Sequence, residues 1–317
     1  MGSQVTPRLV LEVRDRSATK KRHFQRVLRR AGELPHELYS RYITNQPNEL
    51  FRRALLRRTN FATLEADGEL LCNRGLCILP RYFSGPALEG MQADFAHWCT
   101  LKPGMDSNKL KDFDGGKAES FLPLSEYLSR AAVDPYLNAL AAYYLGKPIR
   151  LAYCHGYRIE PIAAREYRAF RWHHDLKRKQ IRIMVLLTDT PADGQRMDYI
   201  EGSHRTWHKF SNQRESWFSG GDAESLGRVV PCAGPAGTVV VFDSNGIHRG
   251  NRNTGPTRDQ YTFNFTAGSA LFPLPGLHPR VVSELTPQQK LIARTGGPTS
   301  FWFRVGQRVG ERFFPAL

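Results

Sequence analysis

The stretch Trp172-His173-His174-Asp175 determines how the rest of this sequence is interpreted. In an extended segment residues i and i+2 point to the same side, so His173 and Asp175 can converge on one ion while His174 faces away. If His174 were the ligand instead, its side chain would diverge from that of Asp175. A third ligand of the same kind is available at His248. The sequence therefore predicts a metal site made of His173, Asp175 and His248.

Two imidazoles and one carboxylate are typical of the facial triad of non-haem Fe(II) oxygenases, which leaves the other positions of an octahedral ion open. An isolated His-x-Asp often occurs by chance, and such a histidine usually lies on the surface. That alternative weakens here because His248 follows a buried-type strand, 238–242, and the turn 243–246. A jelly roll would bring strand ends that are distant in sequence together at the mouth of its barrel.

The second half of the chain is dominated by short strands separated by Gly, Pro and Asn turns. Apolar runs and alternation predict strands at 75–80, 150–159, 181–188, 197–200, 238–242 and 259–266. On strand 150–159 the alternation puts these residues on one face: Leu151, Tyr153, His155, Tyr157 and Ile159. Helical spacing predicts helices at 87–98, after Ser84-Gly-Pro86, and at 124–145 and 286–294. The fold class predicted is mainly β with flanking helices, around a double-stranded β-helix (jelly roll, cupin-like) core.

Charge and composition divide the chain into three parts. The formal net charge is +15, and residues 1–60 alone carry 14 Lys and Arg against five Asp and Glu. We predict a basic, mostly helical N-terminal extension at 1–67, a double-stranded β-helix domain with helical support at 68–270, and a basic, helical C-terminal extension at 271–317. The basic ends would attract phosphate, nucleic acid or an anionic surface, although a solvated basic face is the commoner meaning of such a pattern.

Arg258 is the candidate anchor for a second small molecule. A 2-oxoacid that chelates iron through its keto-acid end needs a cation for its far carboxylate, and a guanidinium offers two parallel hydrogen bonds. Arg249 and Arg252 lie too close to His248 in the turn to reach across such a molecule. The alternative for Arg258 is a structural salt bridge.

Three further residues are weaker candidates. His155 and Arg158 lie on opposite faces of strand 150–159, so either Tyr157 or Arg158 would contact substrate or cosubstrate. Arg182, on an otherwise apolar strand, is either an inward-facing anion contact or an edge residue. His204 and His208 are interpreted as turn or packing residues.

Taken in order, several segments resemble the phytanoyl-CoA dioxygenase family. They are Phe170-Arg-Trp-His-His-Asp175, Ile183-Met-Val-Leu-Leu-Thr-Asp189, Tyr199-Ile-Glu-Gly-Ser-His-Arg205, Gly237-Thr-Val-Val-Val-Phe-Asp243, His248 and Arg258. The family consists of Fe(II)- and 2-oxoglutarate-dependent oxygenases on a double-stranded β-helix and includes ectoine hydroxylase. The resemblance covers roughly residues 70–268.

The resemblance implies a role for each matching residue. His173, Asp175 and His248 would bind Fe(II), Arg258 would hold 2-oxoglutarate, and Phe170 would line the cosubstrate pocket. Some positions depart from the family pattern. Glu201 replaces a proline, Thr238 stands where the family often has an acid, and Gly250 replaces a serine that can contact 2-oxoglutarate. Asp175 occupies the position where related halogenases carry a small residue, which argues against halogenation.

Compartment and partners follow from composition. The five cysteines are scattered and form no CxxC pair, which favours a reducing cytoplasm over a disulfide framework. No signal peptide or transmembrane segment is expected. The basic helix near the N-terminus lacks a nucleic-acid reader motif, so nucleic acid is not the expected partner. The apolar stripe of 301–314 either packs on its own domain or makes peripheral contact with a membrane.

The sequence thus predicts a dioxygenase that uses Fe(II), 2-oxoglutarate and O2. It would hydroxylate an unactivated C–H bond of a small or carrier-linked, anionic metabolite, and desaturation or cyclisation would use the same residues. The alternative is a non-catalytic cupin-like module that docks nucleic acid or membrane through its basic ends.

Overall fold

A computed structural model describes residues 47–101, 122–159, 171–175, 179–205, 223–251, 255–267 and 276–293. The expectations for residues 1–46, Phe170, His208, Arg252 and the stripe 301–314 lie outside the described residues. Among the described residues, no helix is both long enough and apolar enough to cross a bilayer.

The described residues contain seven α-helices, most of which cover one side of a sheet. They are α1 (Glu49–Arg58), α2 (Leu64–Arg74), α3 (Gly85–Leu101), α4 (Glu126–Ala132), α5 (Pro135–Leu145), α6 (Pro279–Glu284) and α7 (Pro287–Ile292). The single helix predicted at 124–145 is wrong, because the chain breaks into α4 and α5 at Asp134-Pro135. Pro135 begins α5, and the Asp134 side chain caps it by accepting a hydrogen bond from the Leu137 amide.

Eight strands form two antiparallel sheets. They are β1 (Leu76–Leu79), β2 (Ile149–Ile159), β3 (Gln180–Leu186), β4 (Met197–Ile200), β5 (Val229–Cys232), β6 (Val239–Asp243), β7 (His248–Gly250) and β8 (Arg258–Ala267). The large sheet has the order β1-β6-β3-β8-β2, and the small sheet has the order β5-β4-β7. Strands adjacent in space are mostly distant in sequence, as a double-stranded β-helix requires, so the predicted fold class is confirmed.

The two faces of the large sheet have different chemistry. Its outer face is apolar and packs against the helices, with Tyr261, Phe263 and Phe265 on β8 fully buried. Helix α5 contacts β2, β3 and β8 on this side. The inner face, which looks toward the small sheet, has an apolar part formed by Met184, Leu186 and their neighbours. The polar remainder of the inner face contains the candidate site.

A β-bulge in β2 places Leu151 on a different face of the strand from the predicted one. The pairing shifts between Leu151, which lies opposite Phe265, and Tyr153, which lies opposite Asn264. Because Phe265 and Asn264 alternate on β8, Leu151 lies on the outer face and Tyr153 on the inner one. The predicted grouping of Leu151 with Tyr153 is therefore wrong, whereas strict alternation holds from Tyr153 onward.

The N-terminal boundary predicted at residue 67 falls inside α2. Leu55 of α1 and Leu64 of α2 are buried in the same core as the outer face of the large sheet. The described part of the predicted N-terminal extension therefore shares the core of the β-helix domain. The division into three parts otherwise stays a prediction.

Candidate metal centre

Two chain segments meet to bring the predicted metal ligands together. His173 and His248 face each other in an isolated antiparallel bridge, in which each backbone amide donates to the other residue's carbonyl, at 3.0 and 2.8 Å. Residues directly opposite in such a pair project to the same side. Asp175, two residues after His173, is fixed by its amide, which donates to the Ser244 carbonyl at 2.9 Å. Backbone pairing therefore places all three side chains on one side.

The three side chains form a compact, buried cluster. One donor atom from each of His173, Asp175 and His248 lies within 4.8 Å of the others. The Nε2 of His173 is 3.9 Å from Oδ1 of Asp175, and the Nε2 of His248 is 3.7 Å from Oδ2. His174 is buried but does not belong to the cluster, as alternation predicts.

Backbone carbonyls select the ring nitrogen that each histidine offers. Nδ1 of His173 lies 2.6 Å from the Arg171 carbonyl, and Nδ1 of His248 lies 2.9 Å from the Gly246 carbonyl. A carbonyl only accepts, so each Nδ1 carries the proton and each Nε2 turns a free lone pair toward the cluster. Burial, followed by the neighbouring His173, lowers the pKa of His248 to about 3, which keeps this ring neutral. Neutral imidazoles oriented by carbonyls are the form in which histidine binds a metal.

Arg249 is excluded from the centre by its own contacts. Its guanidinium lies over the ring of Trp172 at 4.1 Å and donates to Asp198 at 3.3 Å. This agrees with the expectation that Arg249 is not the cosubstrate anchor.

Arg182 lies beside the cluster rather than at an edge. It belongs to β3, which pairs with both β6 and β8. Its Nη2 is 2.6 Å from Oδ2 of Asp175 and donates to the Tyr153 hydroxyl at 3.1 Å. Burial works against the charge, but Asp175 and the tyrosines outweigh it and raise the pKa of Arg182.

A row of aromatic rings on β2 lies next to Arg182 on the inner face of the large sheet. The His155 ring stacks on Tyr153 with centroids 5.7 Å apart and meets Tyr157 edge-on at 4.8 Å. Burial raises the pKa of Tyr157 to about 12, so its hydroxyl stays protonated. Arg158, in contrast, forms a two-pronged ion pair with Asp259 on the outer face, at 2.9 and 2.7 Å. Of the two alternatives left by the sequence, Tyr157 faces the centre.

Arg258 begins β8 on the same inner face as Asn264, which lies opposite Arg182. Its side chain is buried, and among the described residues its Nε and Nη1 have no hydrogen-bond partner. Burial lowers the pKa of Arg258 to about 10, and Cys232 and Asp198 offset only part of this effect. A buried, incompletely paired guanidinium is costly unless an anion arrives to share it.

Sequence reasoning missed the residues that support the two ligand segments. The Ser203 hydroxyl accepts a hydrogen bond from the Ile247 amide at 2.7 Å and donates to the Ile200 carbonyl at 2.6 Å. Tyr144 donates to the Asp243 carboxylate, and Gln180 donates to the Ser244 hydroxyl at 2.6 Å. The polar residues Gln260, Thr262 and Asn264 alternate with the β8 aromatics, and this signal could have been used.

The residues present fit a divalent metal and a dicarboxylate. The cluster offers two neutral imidazoles and one carboxylate, which suit Fe(II) with open positions. The incompletely paired Arg258 on the same face offers the charge that a second carboxylate would neutralise.

A buried His–Asp–His cluster between the sheets of a double-stranded β-helix defines a class, the β-helix proteins that hold one metal ion with three side chains. The particular family follows from the sequence. Residues 71–259 match the phytanoyl-CoA dioxygenase (PhyH) family, and the chain belongs to this family.

The relatives found by sequence are ectoine dioxygenases. The protein from Sphingopyxis alaskensis is 30% identical over 159 residues, which are 42% of this chain and 51% of that protein. The protein from Stutzerimonas stutzeri is 24% identical over 239 residues, 65% of this chain and 78% of that protein. The match thus spans about half the length of the Sphingopyxis relative.

Solved structures share the fold. EctD from S. alaskensis with bound Fe superimposes with a TM-score of 0.54 at 21% identity, covering 76% of this chain and 87% of that chain. The epimerase SnoN in complex with Fe3+, alpha ketoglutarate and nogalamycin RO gives 0.51 at 19% identity, covering 71% and 91%. At these identities the similarity establishes the fold alone.

Proposed function

We propose that this chain is an Fe(II)- and 2-oxoglutarate-dependent dioxygenase. One observation supports this most strongly: a buried His173–Asp175–His248 cluster shares the inner face of the sheet with Arg258, whose charge is incompletely paired. Membership of the phytanoyl-CoA dioxygenase family and ectoine dioxygenase relatives point in the same direction.

Each residue then has a definite task. His173 and His248 offer Nε2, Asp175 offers a carboxylate oxygen, and Arg258 neutralises the far carboxylate of 2-oxoglutarate. When bound, Fe(II) supplies the oxidative decarboxylation of 2-oxoglutarate to succinate and CO2 with O2, coupled to oxidation of a substrate C–H bond. The sheets bury the ligands and keep bulk water from them.

The wall of the centre supports a small, polar substrate that donates hydrogen bonds, and only the basic ends of the chain favour an anionic one. Asn264 Oδ1 and Gln260 Oε1 lack hydrogen-bond partners among the described residues, and the rings of His155 and Tyr157 line the same face. A long apolar chain would leave such groups unpaired, at about 1–3 kcal/mol each. Hydroxylation is the proposed outcome, and desaturation or cyclisation would use the same residues.

We further propose that the protein works in the cytoplasm, which the five free cysteines support. A carrier-linked form of the substrate and peripheral membrane contact through 301–314 remain proposals from the sequence.

The test is a screen of metabolite pools for succinate release from 2-oxoglutarate by Fe(II)-loaded protein. We expect release that needs Fe(II), 2-oxoglutarate and O2, and that His248→Ala abolishes. His97→Ala, a change at an exposed histidine on α3, is the matched control and should retain activity. Full activity in His248→Ala, or turnover without 2-oxoglutarate, would overturn the proposal. Failure with every pool, together with nucleic-acid binding at low salt, would favour a non-catalytic module.

A further inference from the structure

Arg182 is the charged side chain that contacts the proposed metal ligands. Its Nη2 lies 2.6 Å from Oδ2 of Asp175, and the two side chains are only 16% and 4% exposed. The same Nη2 donates to the Tyr153 hydroxyl at 3.1 Å, which ties the guanidinium to β2. This is a short, charge-assisted contact within a central strand, so it differs from an exposed surface ion pair.

The contact matters because both oxygens of Asp175 are within reach of a metal. Oδ1 is 3.9 Å from the Nε2 of His173, and Oδ2 is 3.7 Å from the Nε2 of His248. An octahedral ion held by three protein atoms keeps three open positions. The proposed cosubstrates need all three, since 2-oxoglutarate chelates through two atoms. A carboxylate that bound through both oxygens would remove one of these positions.

We propose that Arg182 is a positioning residue that occupies Oδ2 of Asp175, so that this carboxylate gives the metal one oxygen only. The proposal rests on the proposed function and concerns the open positions of the same centre. Tyr153 supports the arrangement, because its hydroxyl accepts a hydrogen bond from the same Nη2. A charged partner in contact with a ligating carboxylate orients it and is expected to influence metal and cosubstrate binding.

Co(II) in place of Fe(II) tests the proposal without turnover, because its visible absorption responds to the number of ligands. Wild type should bind one Co(II) per chain and then 2-oxoglutarate. Arg182→Met should bind Co(II) at least as tightly, because a nearby positive charge is removed. Its visible spectrum should change, and its affinity for 2-oxoglutarate should fall by about tenfold or more. Arg182→Lys keeps the charge and should restore most of that affinity.

Arg158→Met is the matched control, since it removes another Arg–Asp pair of the same sheet from the outer face. Thermal unfolding of each variant shows that it is folded. If Arg182→Met does not fold, Arg182→Gln replaces it, with the same expected spectrum and affinity.

Two results would overturn the proposal: an Arg182→Met spectrum and 2-oxoglutarate affinity equal to those of wild type, or loss of Co(II) binding by a folded variant. Failure of the wild type to bind Co(II) or 2-oxoglutarate would instead contradict the proposed function.

Discussion

Arg258 carries a charge that the described protein does not fully pair. Its guanidinium is buried, and two of its nitrogens lack hydrogen-bond partners among the described residues. Such a group lowers the stability of the free protein and becomes favourable only when an anion binds. In the proposed role of Arg258 as the 2-oxoglutarate anchor, function and stability therefore have opposite requirements at this position.

Arg258→Met should separate these two effects. Because it removes a buried, poorly compensated charge, the free energy of unfolding without cosubstrate should stay unchanged or rise by up to about 3 kcal/mol. The dissociation constant for 2-oxoglutarate should rise by about 30-fold or more, as expected from losing one partner of a buried ion pair. Urea unfolding and calorimetric titration measure the two quantities. Arg280→Met, at an exposed site, should change neither. A strongly destabilised Arg258→Met would mean that Arg258 is a structural residue.

At this scale the sequence was sufficient to predict that His173, Asp175 and His248 lie together, and insufficient to predict their surroundings. The spacing of His173 and Asp175, with His248 after a buried-type strand, predicted a cluster that the structure brings together. The contact between Arg182 and Asp175 could not be predicted. It depends on how β3 is placed against a separate extended segment, which no local pattern encodes.

The loop between β6 and β7 leads directly into one proposed metal ligand and fixes another. Its Ser244 carbonyl accepts the Asp175 amide, and His248 follows directly after it. Tyr144 of α5 donates a hydrogen bond to the Asp243 carboxylate, and the Tyr199 hydroxyl donates to the Asp243 carbonyl at 3.0 Å. Helix α5 therefore helps to hold the end of β6, from which this loop begins.

Tyr144→Phe should loosen that loop. The buried Asp243 carboxylate loses a donor, so the free energy of unfolding should fall by about 1–3 kcal/mol. Affinity for Co(II) should fall as well, because one of the contacts that hold the segment of Ser244 and His248 is lost. The adjacent Tyr143→Phe is the control, since the Tyr143 hydroxyl donates to Glu69, an exposed residue of α2. Equal Co(II) affinity in Tyr144→Phe and wild type would contradict this role of the hydroxyl.

Most elements of the β-helix domain followed from pattern, and the errors have local causes. Alternation located β2 and β8, but the bulge at Ala152 moved Leu151 to the outer face. A bulge adds one residue to a strand without a distinct signal in the composition or hydrophobicity of the sequence, so these patterns do not reveal it. The break before Pro135 could have been predicted from the sequence, because Asp134-Pro135 supplies both a helix cap and a first helical residue.

At the scale of the whole molecule, buried neutral histidines make the metal-free protein sensitive to acid. Burial lowers the pKa of His204 from 6.5, partly offset by Asp243, and burial lowers that of His248 to about 3. Below pH 6.5 both histidines become protonated in the unfolded chain, whereas in the folded protein they stay neutral until the pH reaches their lower pKa. Stability therefore falls as the pH drops from 6.5 toward the folded pKa of each ring.

His204→Gln should flatten this dependence. A histidine that is protonated only in the unfolded chain lowers the free energy of unfolding by up to about 1.4 kcal/mol per pH unit below 6.5. The variant should therefore lose less stability between pH 7 and pH 5 than wild type. The glutamine amide can still donate to the Cys72 carbonyl that His204 contacts at 3.0 Å. Urea unfolding in the presence of a chelator measures the effect. Parallel pH profiles for the two proteins would show that His204 does not contribute.

The central claim is that His173, Asp175, His248 and Arg258 form one centre for a metal and 2-oxoglutarate. Calorimetric titration of 2-oxoglutarate into the protein, with and without Co(II), tests it most directly. One 2-oxoglutarate per chain should bind, only when Co(II) is present, and this binding should be lost in His248→Ala. Absence of binding, or equal binding without the metal, would contradict the account.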